Sequence, residues 1–188
     1  MPVPRLIFLA GPNGAGKSTY YLTFFNKSGL PFINADELTR KLGISNDEAA
    51  KFADGAREAL ISSGESFITE TVFSDPVGAK LDFLRRAVAA DYDVQLHFIG
   101  ISDAGLSEVR VMQRVAQGGH DVPSDRLERR FYQSLRNLAE AIKFVPDVRV
   151  FDNSDTDSPY RLVLRIERGK TIFRAHPFPE WLAKVVGI

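Results

Sequence analysis

Cysteine is absent from the 188-residue chain. That absence removes disulfide bonds, thiolate metal sites and cysteine nucleophiles together, and it suits a reducing compartment such as the cytoplasm. A charge excess of either sign is also lacking, since 24 Lys and Arg stand against 24 Asp and Glu. No global field therefore draws in a polyanion, so neither a nucleic acid nor an anionic membrane face is an expected partner. Any anion must be captured by a local device. Long apolar runs are the third absence. The N-terminal stretch Leu6–Ala10 runs straight into glycines and is far too short for a signal-peptide core or a membrane span. It reads instead as a buried strand. No segment repeats, and at this length one substantial core can form but two comfortable domains cannot, so residues 1–188 are expected to be a single domain.

What is present alternates between strand and helix patterns. Apolar runs at 6–10, 30–33, 66–69, 94–101 and 148–151 read as strands. Helical spacing is expected over 17–25, after Asn34, over 80–90, 104–116 and 124–144. Ser45 with Glu48 has the capping-box pattern, and Ala49, Phe52, Ala53, Ala56 and Leu60 then repeat at helical intervals, predicting a long helix with that face buried. Residues 161–167 and 171–174 flank Arg168-Gly169-Lys170 as an antiparallel hairpin at about 160–175. The tail Phe178-Pro179-Glu180-Trp181 is expected to pack. Strands spaced by helices imply βαβ units, hence a three-layer α/β fold with a mainly parallel sheet. The glycine-bearing break from Gln117 to Pro123 is a candidate lid, spanning about 115–130 with its flanks.

The strongest local signal is Gly11-Pro12-Asn13-Gly14-Ala15-Gly16-Lys17-Ser18, which fits G-x-x-x-x-G-K-S/T directly after a strand and before a helix. Glycines let successive N–H groups turn inward, and the helix N-terminus adds partial positive charge, so the loop becomes a nest for phosphate oxygens. Lys17 would then contact the β- and γ-phosphates of ATP, the Ser18 hydroxyl would ligate Mg²⁺, and Thr19 would support the α-phosphate. A glycine-rich turn with incidental Lys17 and Ser18 is the bland alternative, and the conjunction of every motif position with the right flanking elements argues against it.

Such loops serve GTPases, motor ATPases and small kinases alike. The nearest match to a guanine-specifying Asn-Lys-x-Asp run, Asn26-Lys27-Ser28-Gly29, lacks the Asp and falls too early. A kinase needs a carboxylate near a strand end to orient the acceptor hydroxyl and take its proton. Asp36 follows the second strand, at the edge where open α/β sheets bind ligands. It is either that base or, like Asn34, a helix cap. Arg110 and Arg114 before the break, and Arg126, Arg129 and Arg130 after it, are either lid cations or a solvated basic face, with Arg114 the first choice for transition-state charge. Glu70 and Thr71 either bind the acceptor's hydroxyls or, for Glu70, reach Mg²⁺ through water. His97 lies inside an apolar strand and reads as a packed core histidine, whereas His120 lies in the break and can touch phosphate. The leading reading is a kinase for a small hydroxylated metabolite. The alternatives are an ATP-binding or ATPase switch acting through a protein partner, and a nucleotide or nucleic-acid end kinase, which neutral charge disfavours.

These residues resemble the zeta toxin family of P-loop kinases, whose known members phosphorylate the 3′-hydroxyl of a UDP-N-acetyl amino sugar. Gly11–Thr19 is similar to the family's phosphate loop. Phe32-Ile33-Asn34-Ala35-Asp36-Glu37 is similar to the segment that carries its base, which falls on Asp36. Glu70 in Phe67-Ile68-Thr69-Glu70-Thr71 resembles the sugar-contacting glutamate, and Arg114 the first transition-state arginine. Gly118–Pro123 with Arg129-Arg130-Phe131-Tyr132 resembles the lid of the family's shorter branch. The resemblance implies strand order 2-3-1-4-5 in a five-stranded sheet, adenine near Asp152-Asn153-Ser154, and an antitoxin covering the ATP site. The chain departs at Val72 and Ser74, where the toxins of established substrate carry threonine and arginine. His120 stands about where their second arginine would be, and Arg129 or Arg130 can substitute for it.

Overall fold

The computed structural model describes residues 3–116 and 123–187. In chain order the elements are β1 (Arg5–Ala10), α1 (Lys17–Phe24), β2 (Phe32–Ile33), α2 (Ala35–Leu42), α3 (Asn46–Ser63), β3 (Phe67–Glu70) and α4 (Ala79–Ala89). They continue with β4 (Asp93–Gly100), α5 (Ala104–Ala116), α6 (Ser124–Ala141), β5 (Asp147–Asp152), β6 (Arg161–Glu167), β7 (Lys170–Arg174) and α7 (Glu180–Val186).

The five strands β1 to β5 pair in parallel in the order β2-β3-β1-β4-β5, as expected. The expected C-terminal hairpin is present and extends the same sheet beyond the five strands expected. β6 pairs antiparallel with β5, and β7 with β6, so the sheet has seven strands. Without β6, β5 would present an unpaired edge, which proteins tend to cover. Along β1 the side chains alternate: Leu6, Phe8 and Ala10 join one apolar cluster, Ile7 and Leu9 the other. Period-two alternation with both sets buried is why this strand reads as an unbroken apolar run.

Two local features hold the helices near the site. The Ser45 box is complete: the Ser45 hydroxyl accepts from the Glu48 N–H at 3.3 Å, and the Glu48 carboxylate accepts from the Ser45 N–H at 3.0 Å. Ser45→Ala should therefore lower the melting temperature by about 2–4 °C, read by thermal denaturation. The buried stripe of α3 differs from expectation. Ala49, Ala53 and Arg57 are buried, whereas Phe52 is 62% exposed. α3 packs on α2 and on the edge strand β2, and Arg57 reaches from it to the Thr69 hydroxyl and the Glu70 carbonyl of β3, so a charged side chain takes a place in the buried stripe.

The tail packs, as expected. Trp181 is buried and lies against Gly100 so closely that a β-carbon there would fall 2.2 Å from its ring. His97 is likewise a core residue, bonded through Nδ1 to the Tyr20 hydroxyl at 3.0 Å. Burial, reinforced by the charge of Arg149, pushes its pKa down to about 3, so it stays neutral across the physiological range. Among the described residues no helix is long and apolar enough to cross a membrane.

Candidate nucleotide and acceptor site

The loop between β1 and α1 takes the conformation its glycines allow. Gly11, Gly14 and Gly16 have φ of 142°, 71° and 90°, angles at which a side chain is strained. Gly11 also lies so close to β4 that a β-carbon would meet the Ile99 carbonyl oxygen at 2.1 Å. Lys17, the first residue of α1, is buried and donates from Nζ to the Pro12 carbonyl at 2.9 Å. Burial lowers its pKa from the ordinary 10.5, against the opposing pull of Glu70 and then Asp36, while Arg114 adds to the lowering. Glu70, Asp36 and Arg114 line the same cavity as Lys17.

Glu70, the last residue of β3, is brought beside the loop by the parallel register that pairs Leu9 with Glu70. Its carboxylate accepts from the Ser18 hydroxyl at 3.0 Å and from the Asn34 side-chain amide at 2.8 Å. Burial raises its pKa, with Lys17 and the Ser18 bond opposing. Asn34 also settles which residue caps α2. Its Oδ1 accepts from the N–H groups of Asp36 and Glu37 at 2.8 and 3.3 Å, so Asn34 is the cap. Asp36 sits in the first helical turn with its side chain exposed.

These groups face a cavity of about 970 Å³. It gathers Asn13, Gly14, Gly16, Lys17, Ser18 and Thr19 from the loop and helix start. Across from them lie Asn34, Asp36, Glu70 and Thr71, with Arg114, Arg129 and Arg130 from α5 and α6. Gly11, Pro12 and Ala15 are buried and are not part of its lining. Cations outnumber the acids lining it, Asp36, Glu70 and Asp75, so a chain with no net charge has concentrated positive charge where an anion would sit. Ser18 and Glu70 supply hard oxygens side by side, and among the described residues no cluster of three His, Cys, Asp or Glu forms a separate metal site. That donor set fits Mg²⁺ held jointly with phosphate oxygens rather than in an all-protein cage.

Arg110 lines the same cavity as Arg114, and its guanidinium donates to the Asn153 and Ser154 carbonyls at 2.8 and 3.3 Å. The Asn153 side chain lies behind the loop, its Nδ2 donating to the Ala15 carbonyl at 2.9 Å. Residues 117–122, which include Gly118, Gly119 and His120, lie outside the described residues, and with them the centre of the expected lid.

Sequence reasoning missed Arg57, which lines the cavity although only 4% exposed. Its Nε donates to the Thr69 hydroxyl at 2.7 Å and one terminal nitrogen to Asp54 at 2.5 Å, while Thr69 donates to the Ile33 carbonyl at 3.0 Å. The group ties together the ends of β2 and β3, the strands that deliver Asp36 and Glu70. The available signal was a charge standing in the apolar stripe of α3, four residues after Ala53.

A glycine loop after the central strand, a 2-3-1-4-5 parallel core and a cation-lined cavity at the strand ends define a P-loop protein with the sheet of the small kinases. The zeta toxin family model matches residues 33–162, and the chain belongs to that family. The phosphate loop at 11–18 precedes the matched span and rests on its own geometry. An uncharacterised protein of Haemophilus influenzae is 28% identical over 134 residues, covering 68% of this chain and 92% of its own length. Adenylate kinase isoenzyme 5 of Bos taurus is 27% identical over 177 residues, but the chain spans only 31% of that protein. Among solved structures, the AvrRxo1-ORF1:AvrRxo1-ORF2 complex with sulphate ions matches with TM-score 0.74 at 19% identity, over 98% of this chain and 64% of that one. The same complex has been solved with ATP. A structure from the PezAT toxin–antitoxin system of Streptococcus pneumoniae matches with TM-score 0.64 at 17% identity, over 98% of this chain and 85% of that one.

Proposed function

We propose that the chain is a single cytoplasmic kinase domain that transfers the γ-phosphate of Mg-ATP to a hydroxyl of a small metabolite, with a UDP-N-acetyl amino sugar the first candidate acceptor. The observation that carries this reading is the Asp36 carboxylate, exposed on the cavity across from Lys17 while Asn34 performs the capping. In this scheme the loop amides and Lys17 hold the β- and γ-phosphates. Asp36 orients the acceptor hydroxyl in line with the γ-phosphate and takes its proton as the new O–P bond forms and the bond from the γ-phosphorus to the β–γ bridging oxygen breaks, ADP leaving with that electron pair. Arg114, with Arg129 or Arg130, meets the charge that develops on the equatorial oxygens. Ser18 and Glu70 are the residues that would hold Mg²⁺, which would supply positive charge to offset the negative charge of the phosphates. Ser18 would ligate it directly, and Glu70 would steady it by accepting from the Ser18 hydroxyl; Thr71 would face the acceptor, with Asn34 also in the cavity lining and holding Glu70. A protein antitoxin is the partner this reading adds: AvrRxo1-ORF1 was solved together with AvrRxo1-ORF2, the PezAT structure comes from a toxin–antitoxin system, and the family resemblance implies that such a partner covers the ATP site.

The test is incubation with Mg²⁺ and γ-labelled ATP plus a cell metabolite extract, with a UDP-N-acetyl amino sugar as a defined arm. Label should appear on an organic compound with the native protein and not with Asp36→Asn. Label released only as inorganic phosphate, unchanged by that substitution, would instead favour an ATPase switch working through a partner.

A further inference from the structure

The scheme above uses the N–H groups of the phosphate loop and leaves its carbonyls unexplained. Three of those carbonyls are held by side chains from distant parts of the chain. The Ser107 hydroxyl on α5 donates to the Asn13 carbonyl at 2.7 Å. Asn153 Nδ2, just past β5, donates to the Ala15 carbonyl at 2.9 Å, and the Tyr160 hydroxyl, just before β6, donates to the Gly16 carbonyl at 3.0 Å. The donors are also joined to one another. Asn153 Oδ1 accepts from the Tyr160 N–H at 3.2 Å, and Arg110, one turn beyond Ser107, fixes the Asn153 and Ser154 carbonyls.

The fit between loop and donors is close. A β-carbon on Gly16 would lie 2.7 Å from Asn153 Nδ2 and 3.0 Å from the Tyr160 hydroxyl oxygen, and one on Gly14 would lie 2.8 Å from the Ser107 carbonyl oxygen. Tyr160 itself has φ of 55°, a conformation that a residue other than glycine keeps only where its surroundings impose it. Its ring is seated edge-on against Tyr20 and Phe24, with centroids 5.2 and 5.9 Å away.

A trans peptide is planar, so its C=O and the N–H of the following residue point in opposite directions. Holding the Asn13, Ala15 and Gly16 carbonyls outward therefore aims the N–H groups of Gly14, Gly16 and Lys17 inward. The Gly16 carbonyl also accepts the helical bond from the Tyr20 N–H at 2.9 Å, so Tyr160 is its second anchor. We propose that Ser107, Asn153 and Tyr160 are positioning residues, a clamp that sets three loop amides for a triphosphate before it arrives. This inference rests on the reading of the loop as a nucleotide site. Its consequence is for affinity: without the clamp the loop must be ordered during binding.

Titration calorimetry with Mg-ATP, and with Mg-tripolyphosphate as a probe that has no nucleoside, tests it on the full chain. Tyr160→Phe keeps the ring and removes the hydroxyl, and should weaken both probes by about three- to tenfold. Ser107→Ala should do the same, the double variant should show the product of the two losses, and melting of the empty protein checks that each is folded. If transfer activity is present, KM for ATP should rise with kcat held within about twofold, a split that general loss of structure would not give. Unchanged affinity in folded Tyr160→Phe and Ser107→Ala would overturn the clamp. So would weakening of ATP alone, which would mean that Tyr160 touches the nucleoside. A native protein that binds neither probe overturns the clamp and the nucleotide site together, whereas one that binds both but labels no acceptor overturns only the kinase reading.

Discussion

Replacing Lys17 with Met is expected to cut kcat/KM for phosphoryl transfer by about 10²–10³-fold, the usual cost of removing one fixed donor from developing transition-state charge. It should also abolish the rise in melting temperature that Mg-ATP gives the native protein. The empty variant, by contrast, should be no less stable than the native chain. Lys17 is buried and its ammonium is disfavoured by that burial, so methionine removes a desolvated charge and keeps the volume. The pH dependence gives an independent check. Because the folded state binds the Lys17 proton less tightly than the unfolded state, the unfolded chain holds more protons between the lowered value and 10.5. Stability of the empty protein should therefore gain a rising contribution as pH increases through that window, and Lys17→Met should remove it. Glu70 has the opposite sign. Its raised pKa gives a stability contribution that is complete below 4.5 and is lost as pH climbs through the folded value. Both directions state that the empty site is costly to keep charged, which is what a site built for a polyanion and a cation should show. Thermal denaturation at a series of pH values, with and without Mg-ATP, reads these effects; a Lys17→Met protein still stabilised by the nucleotide would remove the lysine from the phosphate site.

Asp36→Asn is expected to lower kcat by about 10²–10⁴-fold, the range for a lost general base, while leaving Mg-ATP affinity and melting temperature close to native. The two roles that the sequence allows Asp36 predict different outcomes. A capping aspartate would cost stability when replaced by alanine and little activity. In the structure that role belongs to Asn34, whose Oδ1 holds the Asp36 and Glu37 N–H groups and whose amide holds Glu70. Stability loss should therefore follow Asn34→Ala and rate loss Asp36→Asn. Rapid-quench measurement of a single turnover, paired with thermal denaturation of both variants, separates the two. Transfer at the native rate by Asp36→Asn would end its candidacy as the base.

The elements were legible because their causes are local. A lone apolar run between turn residues, the Ser45–Glu48 box and the glycine spacing of the phosphate loop each depend on neighbours within a few positions. The helix over 104–116 and the strand over 161–167 match expectation residue for residue. Phe52 was misplaced because helical periodicity gives the face of a helix and not the width of what covers it. Arg57 was missed because its partners Thr69 and the Glu70 carbonyl belong to a strand that only the folded sheet brings beside α3.

The sequence by itself determined the phosphate loop, the alternating architecture, the strand-end carboxylates at 36 and 70, and the supply of arginines around the expected lid, because each is written in short-range spacing. Tertiary structure alone decided that Asp36 shares a cavity with Lys17 and Glu70, that Arg110 braces the Asn153 turn, and that Ser107, Asn153 and Tyr160 grip the loop. Those contacts join residues up to 144 positions apart; they exist only once parallel register and helix packing have fixed which strand ends and side chains meet.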